Sequence, residues 1–137
     1  MSFENDFTRL LASDLFVVSG TTPKSHLDKR NVFLNMAAIE TNTKREFLLR
    51  YDALMRFVEA LCCAFGYEFG ESPHLAMKRV VTVAIPNIDQ SALRDLTDER
   101  HVVKKTGGMP SARNREFLAE VDAALITDPV LSGLLGQ

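Results

Sequence analysis

Apolar residues recur at intervals of three and four along most of the chain, the spacing of helices that bury one face. Phe3, Phe7, Leu10, Leu11, Leu15 and Val18 predict a short amphipathic helix over 3–18, broken by Ser19-Gly20-Thr21-Thr22-Pro23. A second helix is predicted over Leu27–Glu40, with Val32, Phe33, Met36 and Ala37 inward. The clearest pattern follows. Phe47, Tyr51, Leu54, Val58, Leu61 and Phe65, widened by Leu48, Met55 and Cys62, predict a long central helix over Lys44–Phe65. Thr43-Lys44-Arg45-Glu46 has the form of a capping box, in which the hydroxyl and the carboxylate each satisfy a backbone N–H at the helix start. Gly66 stands where a left-handed C-cap residue belongs.

Ser72-Pro73 pairs an N-cap with proline at the first helical position, so a helix is predicted from there towards Ala84. Its second half, Arg79 to Ile85, is rich in β-branched residues and suits a strand equally well by pattern. A lone strand would have no partner, so helix is the reading, ended by Pro86. Leu93, Leu96 and Val103 give the apolar edge of a helix over Ser91–Lys105 that stops at Gly107-Gly108. Ser111 caps another over Ala112–Ile126, with Phe117, Val121 and Leu125 inward and Leu118 and Ala124 beside them. Asp128-Pro129 opens a short apolar tail, Val130–Leu135. With no internal repeat and no shift in composition, the expectation is one all-α domain over 1–137. It is read as an up-and-down helical bundle of five to six helices, its core spanning about 27–126, with the helix 3–18 before it and the tail 129–137 after it.

Composition narrows the function classes. At 137 residues, with 46% hydrophobic and 25% charged side chains, the chain suits a globular domain with a real core and not a disordered one. No run approaches ~18 apolar residues, so no membrane span is expected. The acidic start, Met1-Ser2-Phe3-Glu4-Asn5-Asp6, does not read as a secretory signal. Net charge is −2, which excludes a globally basic surface but allows a local patch. Cys62 and Cys63 are adjacent, unsuited to bridging each other, and read as small core or interface thiols in a reducing, cytoplasmic setting. Three scattered histidines and no Cys/His spacing leave no metal site and no cofactor to expect.

No glycine-rich phosphate loop, nucleophile elbow or His-Glu-x-x-His helix is present. The segment Leu93–Lys105 carries the candidate chemistry. On a helical wheel Arg94, Asp98, His101 and Lys105 share a narrow polar sector, opposite Leu96 and Val103. Arg100 falls near Leu93 on the flank of the apolar stripe, where a buried or interfacial ion pair is expected. From Arg94 to Arg115, six basic side chains (Arg94, Arg100, Lys104, Lys105, Arg113, Arg115) face three acidic ones, the one basic patch near a histidine. The polar sector also reads as a plain solvated face. Elsewhere, His74 in a helix's first turn is expected to be neutral or at the surface, and His26 exposed. Tyr51 is read as core with its hydroxyl paired. Asp52 and Glu59 have no partner spacing that specifies acid–base work.

The order of these features resembles a known family. The central helix Phe47-Leu48-Leu49-Arg50-Tyr51-Asp52-Ala53-Leu54, ending Ala64-Phe65-Gly66-Tyr67, is followed by His74 at the next helix start, an Arg100-His101 helix, a turn and a final helix. Over roughly Ala37 to Leu125 this is similar to the HEPN superfamily of small helical bundles. The resemblance implies a homodimer with no cofactor. Its activity would be either a metal-independent endoribonuclease or a non-catalytic module that binds RNA or a protein, in toxin–antitoxin or defence settings beside a nucleotidyltransferase or antitoxin-type partner. Catalytic members carry Arg, four to six residues, then His. Arg94 and His101 meet that spacing. Alternatively Arg100-His101 occupies the Arg-Asn pair, and the distal His or Tyr is then missing near Lys104 to Thr106. The second placement agrees better with the distance to the final helix and makes the chain a degenerate member, with Arg94, Arg100 and His101 as candidate catalytic residues and Lys104, Lys105, Arg113 and Arg115 as candidate RNA or partner contacts. In the catalytic reading His101 moves a proton, Arg94 or Arg100 stabilises charge on the phosphoryl oxygens, and a two-fold dimer supplies the second histidine.

Overall fold

The long central helix, α3, runs from Thr43 to Cys63 and forms the axis of the domain. Tyr51, Leu54, Val58 and Leu61, on one stripe, are fully buried, as the three-and-four spacing predicts. The computed structural model describes residues 3–136; Met1, Ser2 and Gln137, at the ends of the span read from the sequence, lie outside it. The other described helices are α1 (Phe3–Leu11), α2 (Pro23–Ile39), α4 (Pro73–Ala84), α5 (Gln90–Thr106), α6 (Ala112–Ile126) and α7 (Pro129–Leu134). The domain is all-helical, with seven helices among the described residues where five to six are expected. The tail contributes one of them, because Asp128 accepts from the N–H groups of Val130 and Leu131 and starts a helical turn that buries Leu131. None of these helices is long and apolar enough to cross a membrane.

The core collects Phe7 and Leu11 from α1, Met77 and Val80 from α4, Leu93 and Leu96 from α5, and Val121 and Leu125 from α6 around α3. The β-branched stretch 79–85 is helical up to Ala84, and Val80 and Val81 are buried in it. Gly107, at φ 71°, closes α5 in the left-handed conformation, with its N–H on the Val103 carbonyl. Gly66, at φ 85°, follows α3. Ser111 caps α6 by accepting from the Asn114 N–H.

Four readings are corrected. The first helix ends at Leu11, not near 18, because Phe16–Val18 form a strand, β1, that pairs antiparallel with β2, Tyr67–Phe69. Two segments remote in sequence complete each other's ladder, which periodicity within either cannot reveal. Gly70 ends the pairing. A Cβ there would lie 3.1 Å from the Leu15 carbonyl oxygen, to whose group Gly70 donates its own N–H. Second, the N-cap of α3 is Asn42, whose side chain accepts from the Arg45 N–H at 3.0 Å, while Glu46 pairs with Arg50. Asparagine is at least as good a cap as threonine, and the helix starts one residue earlier.

Third, α2 begins at Pro23, not Leu27, since Thr22-Pro23 starts it instead of only breaking the segment before it. Its inward face is also different. Val32 is 56% and Met36 48% exposed, whereas His26, Arg30 and Ala37 are buried. The reason is electrostatic: α2 lies antiparallel along α3 and faces carboxylates. The Arg30 guanidinium donates to both carboxylate oxygens of Asp122 at 2.7 Å and to the Ala53 carbonyl at 3.1 Å. Fourth, in α6 Leu118 is buried with Val121 and Leu125, while Phe117 is half-buried and Ala124 exposed.

Candidate functional site

Tyr51, His74, Arg100 and His101 meet where α3, the start of α4 and the middle of α5 converge. Tyr51 projects from the buried stripe of α3, and burial holds its phenol protonated well above the ordinary range. Its hydroxyl lies 3.0 Å from His74 Nδ1. His101 is exposed on α5, and its ring meets His74 edge-on with centroids 4.7 Å apart. Arg100 sits on the inner flank of α5, as its wheel position predicts. It pairs with Asp52 at 3.4 Å and lies over the Tyr51 ring at 5.5 Å. A cleft of about 400 Å³ opens beside the cluster, lined by His74, Arg100, Asp52, Arg56, Glu59 and Phe69 among others.

Burial drives the His74 pKa down to about 4, helped by Arg100, His101, Lys104 and Lys78 nearby. The imidazole is therefore neutral at pH 7, as its place in the first turn of α4 suggests. A protonated phenol donates to Nδ1, so the ring proton sits on Nε2 and the lone pair is already engaged. His74 is thus arranged to donate a hydrogen bond, not to take a proton. Stability should depend on this group. Its folded pKa lies below the unfolded value of 6.5, so the unfolded chain binds the extra proton between pH 6.5 and about 4. Stability is expected to be lost as pH falls through that window, and His74→Asn should flatten that part of the profile in denaturant titrations from pH 7 to 4. An unchanged slope would contradict the buried, neutral assignment.

The candidate residues are only partly brought together. His101, Lys104 and Lys105 line one shallow depression on the outer face of α5. Arg94, two turns earlier, faces a different groove with Lys78 and Arg79. Arg115 lines a third with Arg50 and Glu46, and Arg113 is exposed on the first turn of α6. Arg100 is near His74 but turned inward onto Tyr51 and Asp52, whereas the neighbouring His101 is exposed.

A second polar cluster was not legible in the sequence. His26, expected at the surface, is only 2% exposed because the early start of α2 turns it onto α3 and β2. Its Nδ1 lies 3.2 Å from the Arg56 guanidinium and 3.8 Å from Glu59, and its Nε2 lies 3.3 Å from Glu68. Glu59 also accepts from the Phe69 N–H at 3.1 Å. Hydrogen bonds from Ser19 and Thr21 hold the Glu68 carboxyl below the usual range. Cys62 and Cys63 are both buried free thiols. Recognising Pro23 as an N1 residue would have put His26 inside the helix; its alignment with Glu68 depends on the β1–β2 pairing.

No family model matches the chain, and no curated protein and no solved structure matches it either.

Proposed function

We propose that the chain is a HEPN-like homodimeric module that binds RNA without cleaving it, in the cytoplasm, through the outer face of α5. The observation that carries this reading is the division of labour around α5. His101, Lys104 and Lys105 are exposed together, whereas the arginines a catalyst would need do not join them in one groove. Arg100 is held by Asp52 and Tyr51. Arg94 stands about 10 Å along the helix from His101, in another groove. His74 places a second imidazole beside His101, but its lone pair accepts from Tyr51. His74 is therefore unsuited to serve as a general base beside His101. Lysines on a helix surface engage phosphates as mobile point charges, in keeping with backbone contact to single-stranded RNA. The exposed apolar stripe Val32, Met36 and Ile39 on α2 supplies a surface for pairing two copies.

The edge-on His74–His101 pair favours one competing reading, a metal-independent endoribonuclease using Arg94 or Arg100 with His101. A single experiment separates the two. Binding of a fluorescent single-stranded RNA is measured by anisotropy over a salt series, with EDTA present, and the RNA is then run on a gel. The expected result is binding that weakens with salt, roughly a tenfold or greater loss in the Lys104→Glu/Lys105→Glu variant, and intact RNA throughout. Binding indifferent to that variant would sink the proposed face. Cleavage abolished by His101→Ala would establish the enzyme instead.

A further inference from the structure

We propose that His26, Cys63 and Glu68 form a binding site for one zinc ion per chain, with His26 Nε2, Cys63 Sγ and a Glu68 carboxylate oxygen as ligands. The three come from α2, the last turn of α3 and β2, and their ligand atoms all lie within 4.8 Å of one another. A tetrahedral zinc site with bonds of about 2.0–2.3 Å separates its ligands by roughly 3.3–3.8 Å, so small side-chain adjustments close the set. The His26–Glu68 separation of 3.3 Å is already in that range.

Two further observations point to a cation. His26 Nε2 is buried and makes no hydrogen bond, because its approach to Glu68 lacks the required geometry. A buried imidazole nitrogen without a well-directed hydrogen bond is costly, and this one lies among the other two donors. The surroundings also carry an excess of negative charge. Glu68 lies 3.3 Å from His26 Nε2 and Glu59 3.8 Å from its Nδ1, against the single guanidinium of Arg56. A divalent ion offsets that negative charge and binds the Cys63 sulfur as a thiolate. The borderline donor set of nitrogen, sulfur and oxygen suits zinc better than magnesium or calcium, which prefer oxygen alone.

Binding is a balanced exchange. Zinc displaces the thiol proton of Cys63 to solvent and forms the Zn–S bond, with no change in oxidation state. Ligation at Nε2 also requires the imidazole proton to sit on Nδ1. There it would face Glu59, 3.8 Å away, and Arg56 would shift from Nδ1 towards the same carboxylate, which it already approaches at 3.7 Å. Glu59 is thereby the positioning residue that orients the histidine. Such an ion would join both strands to α2 and α3, since Ser19, following β1, donates to the other Glu68 oxygen.

The test is a cobalt titration of the chelator-treated full chain, followed in the near ultraviolet and visible, with displacement by zinc. A thiolate-to-cobalt charge-transfer band saturating at one equivalent is expected. It should disappear in Cys63→Ala and in His26→Gln and persist in Cys62→Ala. In Glu59→Gln zinc affinity should fall roughly 10–100-fold with the band retained. Circular dichroism establishes that each variant is folded, and Glu68→Gln, expected to weaken binding, serves if Cys63→Ala is not. No band in the folded parent chain, or a band that survives Cys63→Ala or His26→Gln, overturns the site. Neither result bears on RNA binding at the α5 face, which lies on other residues.

Discussion

Asp122→Ala is expected to destabilise the domain by about 3 kcal/mol, towards the lower end of the range for breaking a buried ion pair because Asp122 is itself partly exposed. Arg30 is 7% exposed at its side chain, and both its terminal nitrogens depend on the Asp122 carboxylate at 2.7 Å. Removing the carboxylate leaves a guanidinium that cannot lose its proton, held only by the Ala53 carbonyl and the Phe57 ring. The companion variant, Arg30→Met with Asp122→Leu, should be close to neutral, because exchanging both charges for apolar volume removes the desolvation cost as well as the attraction. Urea denaturation of the two proteins decides the matter. Equal midpoints for Asp122→Ala and the parent would mean that the pair does not clamp α2 to α6.

Leu61→Ala should cost about 2–5 kcal/mol, and Leu54→Ala a similar amount, because both side chains are fully buried on α3. The loss has two parts: the transfer energy of the missing carbons and the cavity they leave. Leu61 stands in the core cluster with Val58 and Met77, all three fully buried. A denaturation midpoint that does not move would contradict the placement of α3 at the axis.

Much of this architecture is legible in the chain itself. The stripe from Phe47 through Leu61 identifies α3 because a helix with one dry face repeats with the helical period. Ser111 and Gly107 mark helix ends through hydrogen bonds made within a few residues. The position of Arg100 on the inner flank of α5 follows from the wheel alone, and the structure gives it Asp52 and Tyr51. The candidate site was legible only in fragments. His101, Lys104 and Lys105 do share a surface, but Arg94 and Arg115 belong to other grooves, since spacing along helices says nothing about which groove a neighbouring helix creates.

The inward face of α2 is the plainest limit. Hydropathy turns Val32 and Met36 towards the core, yet His26 and Arg30 are buried, because the surfaces α2 meets carry Glu59, Glu68 and Asp122. Burial of a charged or polar side chain depends on a partner supplied from elsewhere, and no pattern within residues 23–39 contains that partner. What the sequence determined by itself is therefore the all-helical class, the helix ends marked by Ser111 and Gly107, and the apolar stripe of the central helix, all products of local geometry. Tertiary structure alone decided the β1–β2 pairing, the Arg30–Asp122 clamp, the His74–His101 contact and the meeting of His26, Cys63 and Glu68. Each of these joins residues far apart along the chain, whose interaction exists only once packing has brought their elements together.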